Sequence, residues 1–298
     1  MKYYAIIVEG RTDSALIEAM LEKEFGFKAY TNKKDLPDIF VQMMGKYPQQ
    51  TGELKPTGFP LFYHTEKIGI TIRIANGNTK IAATLEGLIN IIENCDILED
   101  FKGFIIITDK DNKSQEKIIT ELNEQFNKLD LNFSSEKNSI TNESNINIHL
   151  WLYVIPQNGQ GAIEKLLLSC AEEICEDNIY SLSKEVRNKL NENCFNTIRQ
   201  SWGTKQVQNF YADKVQFGII STILKPDKTI AMTIRDKIIK KDSLTKLQKI
   251  EEYHLLYEFL KNRIIIDDKK FMSINKCIPL IKDSYFIIYI HKITETIN

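Results

Sequence analysis

Residues 3–13 have the sequence YYAIIVEGRTD, and this stretch decides the fold class. Residues 3–8 are apolar and rich in β-formers, which predicts a strand that is buried on both faces. A polar turn at 9–13 follows, and apolar residues then recur at helical spacing as far as Gly26. The stretch therefore predicts a strand, a turn and a helix, which is the repeating unit of an α/β fold.

Three further units of the same kind lie downstream. The predicted strands are 69–75, 104–108 and 147–155, and the predicted helices are 79–95, 114–129 and 162–175. Alternating strands and helices favour a Rossmann-like parallel sheet with helices on both faces. In such sheets the functional site lies at the carboxyl ends of the strands.

The chain divides by composition into two predicted domains. Residues 1–175 form the α/β domain, and 28–68 is an insertion within it, because prolines and glycines interrupt any long element there. One short helix is expected near 36–45. Residues 130–145 are rich in Asn and Ser, which predicts a loop. The residue pattern of 176–298 predicts a mainly helical C-terminal region.

The C-terminal region contains three predicted helices and an ambiguous tail. The helices are 183–199, 204–224 and 243–263, and the tail at 284–293 fits either a strand or the end of a buried helix.

Composition excludes several classes of protein. The 298 residues include 39 basic and 40 acidic side chains, so the chain is not a histone-like polycation, and 43% hydrophobic residues argue against disorder. The five cysteines form no CxxC pair, which argues against a zinc ribbon and favours reduced thiols in the cytoplasm. No uncharged apolar stretch approaches the length of about 18 residues that a membrane span needs. No GxxxxGK[ST] or GxGxxG motif follows a strand, which argues against P-loop NTPases and dinucleotide enzymes.

Five acidic residues fall at the ends of the predicted strands. Glu9 ends the first strand, Asp13 follows in the next helix, Asp109 and Asp111 end the third strand, and Glu164 begins the helix after the fourth. The carboxyl ends of parallel strands share one edge of the sheet, so these side chains are expected to converge. Hard cations such as Mg²⁺ are held by carboxylates, waters and substrate phosphates. The five acids are therefore predicted metal ligands, with Mn²⁺ as a substitute ion.

Most of these acids also have a structural interpretation when taken singly. Asp13 fits a helix cap, Asp109 fits the start of a turn, and Glu164 complements a helix dipole. A glutamate that ends an apolar strand, as Glu9 does, has less structural purpose. Their joint placement favours the metal site.

The two acidic segments together resemble the Toprim domain. The matching residues are Val8-Glu9-Gly10-Arg11-Thr12-Asp13 and Ile107-Thr108-Asp109-Lys110-Asp111. That domain occurs in type IA and type II topoisomerases, bacterial primases, OLD-family nucleases and ribosomal-RNA maturases. The resemblance covers about residues 1–175. The segments Pro156-Gln157-Asn158-Gly159 and Ala162-Ile163-Glu164-Lys165-Leu166-Leu167 are also similar to small stand-alone Toprim-like proteins.

The resemblance implies a role for each acid. Glu9 corresponds to the family's general acid or base, and the Asp-x-Asp pair, Asp109 and Asp111, corresponds to its Mg²⁺ ligands. Asp13 and Glu164 correspond to candidates for a second metal, as in the nuclease branch. Two metals about 4 Å apart clamp the attacking and leaving oxygens of a phosphoryl displacement.

Three neighbouring residues are candidates for contact with phosphate. Arg11 and Lys110 lie beside the acids, where a cation neutralises phosphate charge, although a solvated surface charge is the alternative. Gly10 lets the backbone approach a phosphate at a helix N-terminus.

The resemblance implies a Mg²⁺-dependent nuclease that acts on DNA or RNA. The chain is too short for the tyrosine-bearing domain of a topoisomerase, and its cysteines do not provide the zinc site of a primase. A phage-defence effector is the expected setting, with an ATPase protein and a second copy of the chain as candidate partners. The alternative is a catalytically silent Toprim-like nucleic-acid-binding or regulatory subunit. Intact Glu9, Asp109 and Asp111 favour the nuclease.

Charge is divided unevenly along the chain. Residues 1–183 carry 18 basic and 27 acidic side chains, for a net of −9, and residues 184–298 carry 21 and 13, for a net of +8. Lys237, Lys240 and Lys241 are therefore predicted to bind nucleic-acid phosphates, and aromatic residues such as Trp202 and Phe210 lie in the same region. A solvated lysine-rich helical face, with buried aromatics, is the alternative.

Overall fold

The computed structural model describes most of the chain. The described residues are 1–44, 52–54, 60–94, 99–175, 178–189 and 211–265. They form a mixed α/β fold, in which a sheet of eight strands is flanked by helices and a helical region follows it. The chain divides into two compact units, Met1–Tyr257 and Glu258–Asn298.

The eight strands form one sheet. They are β1 (Lys2–Val8), β2 (Lys28–Ala29), β3 (Leu61–His64), β4 (Ile68–Ile74), β5 (Phe101–Asp109), β6 (Asn132–Ser134), β7 (Ser139–Thr141) and β8 (Asn147–Ile155). Their order across the sheet is β2-β3-β4-β1-β5-β8-β7-β6. The four central strands β4, β1, β5 and β8 run parallel, and they are the four strands that the sequence predicted.

The helices connect and cover these strands. They are α1 (Arg11–Lys23), α2 (Asp38–Met44), α3 (Ile81–Glu93), α4 (Gln115–Asn127), α5 (Ile163–Ile174), α6 (Ile179–Lys189), α7 (Tyr211–Leu224), α8 (Ile230–Thr233), α9 (Leu244–Leu247) and α10 (Glu251–Ile264). A short π-helical segment, Ile234–Ile238, follows α8. None of these described helices combines the length and the apolar character that crossing a bilayer requires.

The predicted parallel strands form the centre of the sheet, and the sheet continues beyond them at both edges. The insertion contains the expected helix α2, but its strands β2 and β3 also extend the sheet antiparallel beyond β4. The predicted loop at 130–145 is instead the hairpin of β6 and β7, which pairs antiparallel with β8. Strands of two to four residues are too short to show an alternating pattern among prolines, asparagines and serines, so only pairing with the sheet reveals them.

Both faces of the sheet are buried, as expected for a three-layer fold. Tyr3, Ala5 and Ile7 of β1 pack in one apolar core with side chains of α2, α3 and α4. The alternate residues of β1 are equally buried and point to the opposite face, where α1 packs on β1 and α5 packs on α1.

Helices α6 to α9 and the π-helical segment belong to the same compact unit as the sheet. Helix α7 packs on α5, and α8 and the π-helical segment pack on α1. Arg235 of the π-helical segment forms ion pairs with Glu18 and Glu22 of α1, at 3.5 and 2.8 Å. The domain boundary at 175/176 stays a prediction.

The predicted C-terminal helices are only partly observed. The prediction at 183–199 overlaps α6, and that at 204–224 overlaps α7, but residues 190–210 lie outside the described part of the chain. The predicted helix at 243–263 is interrupted between α9 and α10. The tail at 284–293 also lies outside the described residues.

The strand order places a topological switch point between β1 and β5. The connection that leaves β1 leads to β4 on one side, and the connection that leaves β5 leads to β8 on the other. Connections that diverge in this way open a crevice at the carboxyl ends of the two strands, and ligands of α/β proteins bind there.

Gly103 allows β5 to approach β8 closely, and its replacement tests that packing. A Cβ atom on Gly103 would lie 2.7 Å from the His149 carbonyl oxygen and 2.8 Å from the Trp151 ring. We expect Gly103→Ala to lower the free energy of unfolding by roughly 1–3 kcal/mol, measured by urea denaturation.

Gly87 provides the matched control. It is exposed in α3, and a Cβ there meets no atom within 4 Å. Gly87→Ala should therefore raise the free energy of unfolding by about 0.5–1 kcal/mol. Equal effects of the two substitutions would contradict this account of the β5–β8 contact.

Candidate metal site at the sheet edge

The structure brings the five predicted acids to one edge of the sheet. Glu9 directly follows β1, Asp13 lies in the first turn of α1, Asp109 ends β5, Asp111 follows it, and Glu164 lies in the first turn of α5. Their charges act on one another, since neighbouring carboxylates raise the pKa values of Asp13, Asp109 and Glu164. The edge is the one that holds the switch point between β1 and β5.

Asp13 caps its helix with one oxygen and leaves the other unpaired. The Gly10 N–H donates to Asp13 Oδ2 at 2.9 Å, so the capping interpretation of Asp13 is confirmed. A Cβ atom at position 10 would lie 3.1 Å from that oxygen, which explains why a residue without a side chain stands there. Asp13 is only 4% exposed, and its Oδ1 is buried without a hydrogen-bond partner. A buried carboxylate oxygen without a hydrogen-bond partner is costly and rare in folded proteins.

Glu9 and Thr108 join the ends of the two central strands. Thr108 is buried near the end of β5, and its hydroxyl donates to Glu9 Oε2 at 3.1 Å. Glu9 is half-buried. This hydrogen bond fixes the Glu9 carboxylate across the crevice between β1 and β5.

The loop after β8, residues 156–161, is fastened to the Asp-x-Asp pair. Asp109 Oδ1 accepts a hydrogen bond from the Ile163 N–H at 2.8 Å. Asp111 and Gly161 exchange backbone hydrogen bonds at 2.6 and 2.8 Å. The start of α5 is therefore held against the end of β5, and this brings Glu164 to the other acids.

Glu164 is paired with a lysine that the sequence did not indicate. Glu164 is 7% exposed, and its Oε2 is buried without a hydrogen-bond partner. Its Oε1 lies 3.8 Å from Nζ of Lys214, a residue of α7. The charges of Asp109, Asp111 and Asp13 also act on Lys214 and raise its pKa, although burial opposes the rise. Lys214 follows Glu164 by 50 residues in a generally basic stretch, so no local signal distinguishes it.

Burial and mutual repulsion make these carboxylates hold protons tightly. Burial raises the pKa of Asp13 to about 7, and the charges of Glu9 and Glu164 add to the rise. Burial likewise raises the pKa of Asp109, and the neighbouring carboxylates contribute. Burial raises the pKa of Glu164, and the Lys214 charge opposes that rise. A cation would relieve the same repulsion that protons relieve.

The arrangement fits a cation that needs few protein ligands. Within the described ranges, no three His, Cys, Asp or Glu side chains form a ready-made metal-binding group. Mg²⁺ is usually held by one or two carboxylates, with waters and phosphates completing its shell. The unpaired carboxylate oxygens of Asp13 and Glu164 are ligands of the kind that Mg²⁺ prefers.

The predicted phosphate-contacting residues have different surroundings. Arg11 Nη1 lies 3.5 Å from Ser14 Oγ and 3.4 Å from Glu18 Oε1, so it contacts its own helix. Lys110 Nζ donates to the Gln157 carbonyl oxygen at 3.1 Å. Gly10 lies at the N-terminus of α1 beside Asp13, as expected.

The three lysines of the predicted basic patch lie in or just after the π-helical segment. Lys237 is half-buried in the π-helical segment, and Lys240 and Lys241 are exposed just after it. In the part of the chain that the structure describes, none of these three lysines forms an ion pair with the five acids. Trp202 and Phe210 lie outside the described residues.

Comparison with known proteins identifies the family and the fold. Residues 3–255 match the family model described as "Protein of unknown function (DUF3226)", and the chain belongs to this family. The crystal structure of a hypothetical protein from Pyrococcus horikoshii OT3 is similar, with a TM-score of 0.51 and 17% identity over 87% of this chain and 98% of that chain. This likeness shows a shared fold. No curated protein matched. The Toprim assignment stays a prediction.

The raised pKa of Asp13 predicts that stability depends on pH. The folded protein holds this proton with a pKa of about 7, against 3.8 for an ordinary aspartate. The contribution of Asp13 is therefore favourable below about pH 4 and is lost as the pH rises to about 7. Asp13→Asn keeps an oxygen for the Gly10 N–H and removes the charge. We expect it to raise the melting temperature in EDTA at about pH 8, with little effect at about pH 4.

Asp100→Asn is the control, because Asp100 is exposed in the turn before β5. Asp100→Asn should leave the melting temperature nearly unchanged at both pH values. A similar effect of Asp13→Asn at both pH values would show that Asp13 is not held protonated.

Proposed function

We propose that the protein is a Mg²⁺-dependent nuclease that hydrolyses phosphodiester bonds of DNA or RNA, with Mn²⁺ as a substitute. The observation that carries this proposal is the pair of buried, unpaired oxygens, Asp13 Oδ1 and Glu164 Oε2, within five acids at the switch point. The resemblance to the Toprim domain over these same acids supports it.

Each acid has a distinct role in this proposal. Asp13, Asp109, Asp111 and Glu164 would hold the ion. When bound, the ion polarises a phosphoryl oxygen and lowers the pKa of an attacking water. Glu9, oriented by Thr108, moves the proton between the attacking water and the leaving oxygen as general base or acid.

Lys214 extends the site into the C-terminal region. Its ammonium group offsets part of the negative charge of Glu164 when no ion is bound. A cation that enters must overcome the repulsion of this ammonium group, so Lys214 tunes the affinity for the metal.

A silent nucleic-acid-binding or regulatory subunit is the second candidate. The pairing of Lys214 with Glu164 favours it, because this ammonium group offsets part of the negative charge of the acids without a metal. Both proposals keep three predictions, which are an ATPase partner protein, a homodimer and a cytoplasmic location.

Removal of the Lys214 charge tests the metal site without requiring catalysis. We expect Lys214→Met to bind Mg²⁺ about three- to tenfold more tightly than the wild type, measured by calorimetric titration, because a nearby positive charge is lost. Lys228→Met is the control, since among the described residues Lys228 forms an ion pair with Asp227 alone, at 3.2 Å. Unchanged or weaker binding by Lys214→Met would place the ion away from Glu164.

Cleavage assays test the reaction itself. Purified protein with Mg²⁺ or Mn²⁺ should cleave at least one of DNA, ribosomal RNA and transfer RNA, and EDTA should stop the cleavage. Glu9→Gln keeps the hydrogen bond from Thr108, and Asp109→Asn keeps that from Ile163, yet each should lower the rate about 100-fold or more.

Two outcomes would count against the nuclease. Cleavage that survives both substitutions would remove these residues from the reaction. Tight Mg²⁺ binding without cleavage of any of the three substrates would favour the silent subunit. Lys228→Met again serves as the matched variant.

A further inference from the structure

The loop after β8 holds a carboxylate with two successive backbone donors. The Gln157 N–H donates to Glu252 Oε2 at 2.8 Å, and the Asn158 N–H donates to Glu252 Oε1 at 2.7 Å. Glu252 lies in the first turn of α10, 95 residues beyond Gln157. Successive backbone N–H groups that point at one anion form a binding concavity of the kind that takes phosphate.

Two lysines are held on the same loop. Lys110 Nζ donates to the Gln157 carbonyl oxygen at 3.1 Å, and Lys165 Nζ donates to the Gln160 carbonyl oxygen at 3.1 Å. Within the described residues, Glu252 forms no ion pair with any lysine or arginine. The positive charges of Lys110 and Lys165 are therefore not paired with the Glu252 carboxylate that the loop binds.

The loop is also part of the edge that holds the acids. Gly161 pairs with Asp111 through two backbone hydrogen bonds, and Ile163 donates to Asp109. An anion on the Gln157 and Asn158 N–H groups is thus bound by the loop that positions the Asp-x-Asp pair.

We propose that the N–H groups of Gln157 and Asn158 form a phosphate-binding subsite, and that Glu252 fills this subsite when no substrate is bound. A phosphate accepts the same two hydrogen bonds as a carboxylate and carries a further oxygen for Lys110 or Lys165. Glu252 is half-buried on α10, so a substrate phosphate displaces it without opening the core. The nature of the substrate, a nucleic acid, rests on the proposed function, but the subsite itself rests on the loop.

Inorganic phosphate is the direct probe of this subsite. Calorimetric titration in EDTA compares the wild type with Glu252→Ala, which vacates the two N–H groups. Glu252→Gln preserves the side-chain shape while removing its charge, and it keeps the test valid if the alanine variant does not fold. Glu251→Ala is the matched control, because Glu251 accepts a hydrogen bond from the Asn158 side-chain amide, at 3.1 Å, and from neither of the two backbone N–H groups in the described structure.

We expect Glu252→Ala to bind phosphate at least about tenfold more tightly than the wild type, because the competing carboxylate is gone. Glu251→Ala should match the wild type. Equal phosphate affinity in Glu252→Ala and the wild type, or an equal gain in Glu251→Ala, would overturn the subsite.

Dinucleotides with and without a 5′-phosphate identify the source of the phosphate. A gain in Glu252→Ala for both molecules assigns an internal diester, and a gain for the phosphorylated one alone assigns a terminal monoester. A gain for neither would overturn a role in substrate binding. The phosphate titrations are made in EDTA and the cleavage assays in Mg²⁺, so the two proposals fail separately. Phosphate binding in EDTA without cleavage in Mg²⁺ would contradict only the nuclease, and cleavage in Mg²⁺ without the gain in phosphate affinity would contradict only the subsite.

Discussion

The parallel pairing of β1 with both β4 and β5 is the constraint on which the rest of the molecule depends. Strands on both sides and helices on both faces bury β1 completely, and its sequence is correspondingly apolar. The chain must then leave β1 in one direction and β5 in the other. The crevice that results has Glu9 on one side and Asp109 on the other, so the fold itself creates the site.

The acids at this crevice oppose stability, and the hydrogen bonds around them limit the cost. Gly10, Thr108 and Ile163 each donate to one carboxylate oxygen. The unpaired oxygens of Asp13 and Glu164 remain buried. Groups whose pKa values are shifted by burial and by like charges cluster at functional sites. The repulsion between such groups is relieved when a cation or a proton binds.

The C-terminal helices complete the surroundings of the acids. Lys214 of α7 lies beside Glu164, and Glu252 of α10 occupies the loop after β8. Arg235 joins the π-helical segment to α1 through Glu18 and Glu22. Lys214 thus brings a charge of the basic half of the chain to the acids, and phosphate binding by Lys237, Lys240 and Lys241 stays a prediction. Residues distant in sequence meet only when helices pack, and no spacing rule encodes such a meeting.

The sequence by itself determined the four central strands, the helices between them and the placement of the five acids, because periodicity and strand ends are local properties. It did not determine the antiparallel edges, since strands of only two to four residues are too short to show a period and are defined by their pairing with a neighbouring strand. It also did not determine the pairing of Lys214 with Glu164 or of Glu252 with the loop after β8. Those contacts were decided by the packing of α7 and α10, which the tertiary structure alone sets.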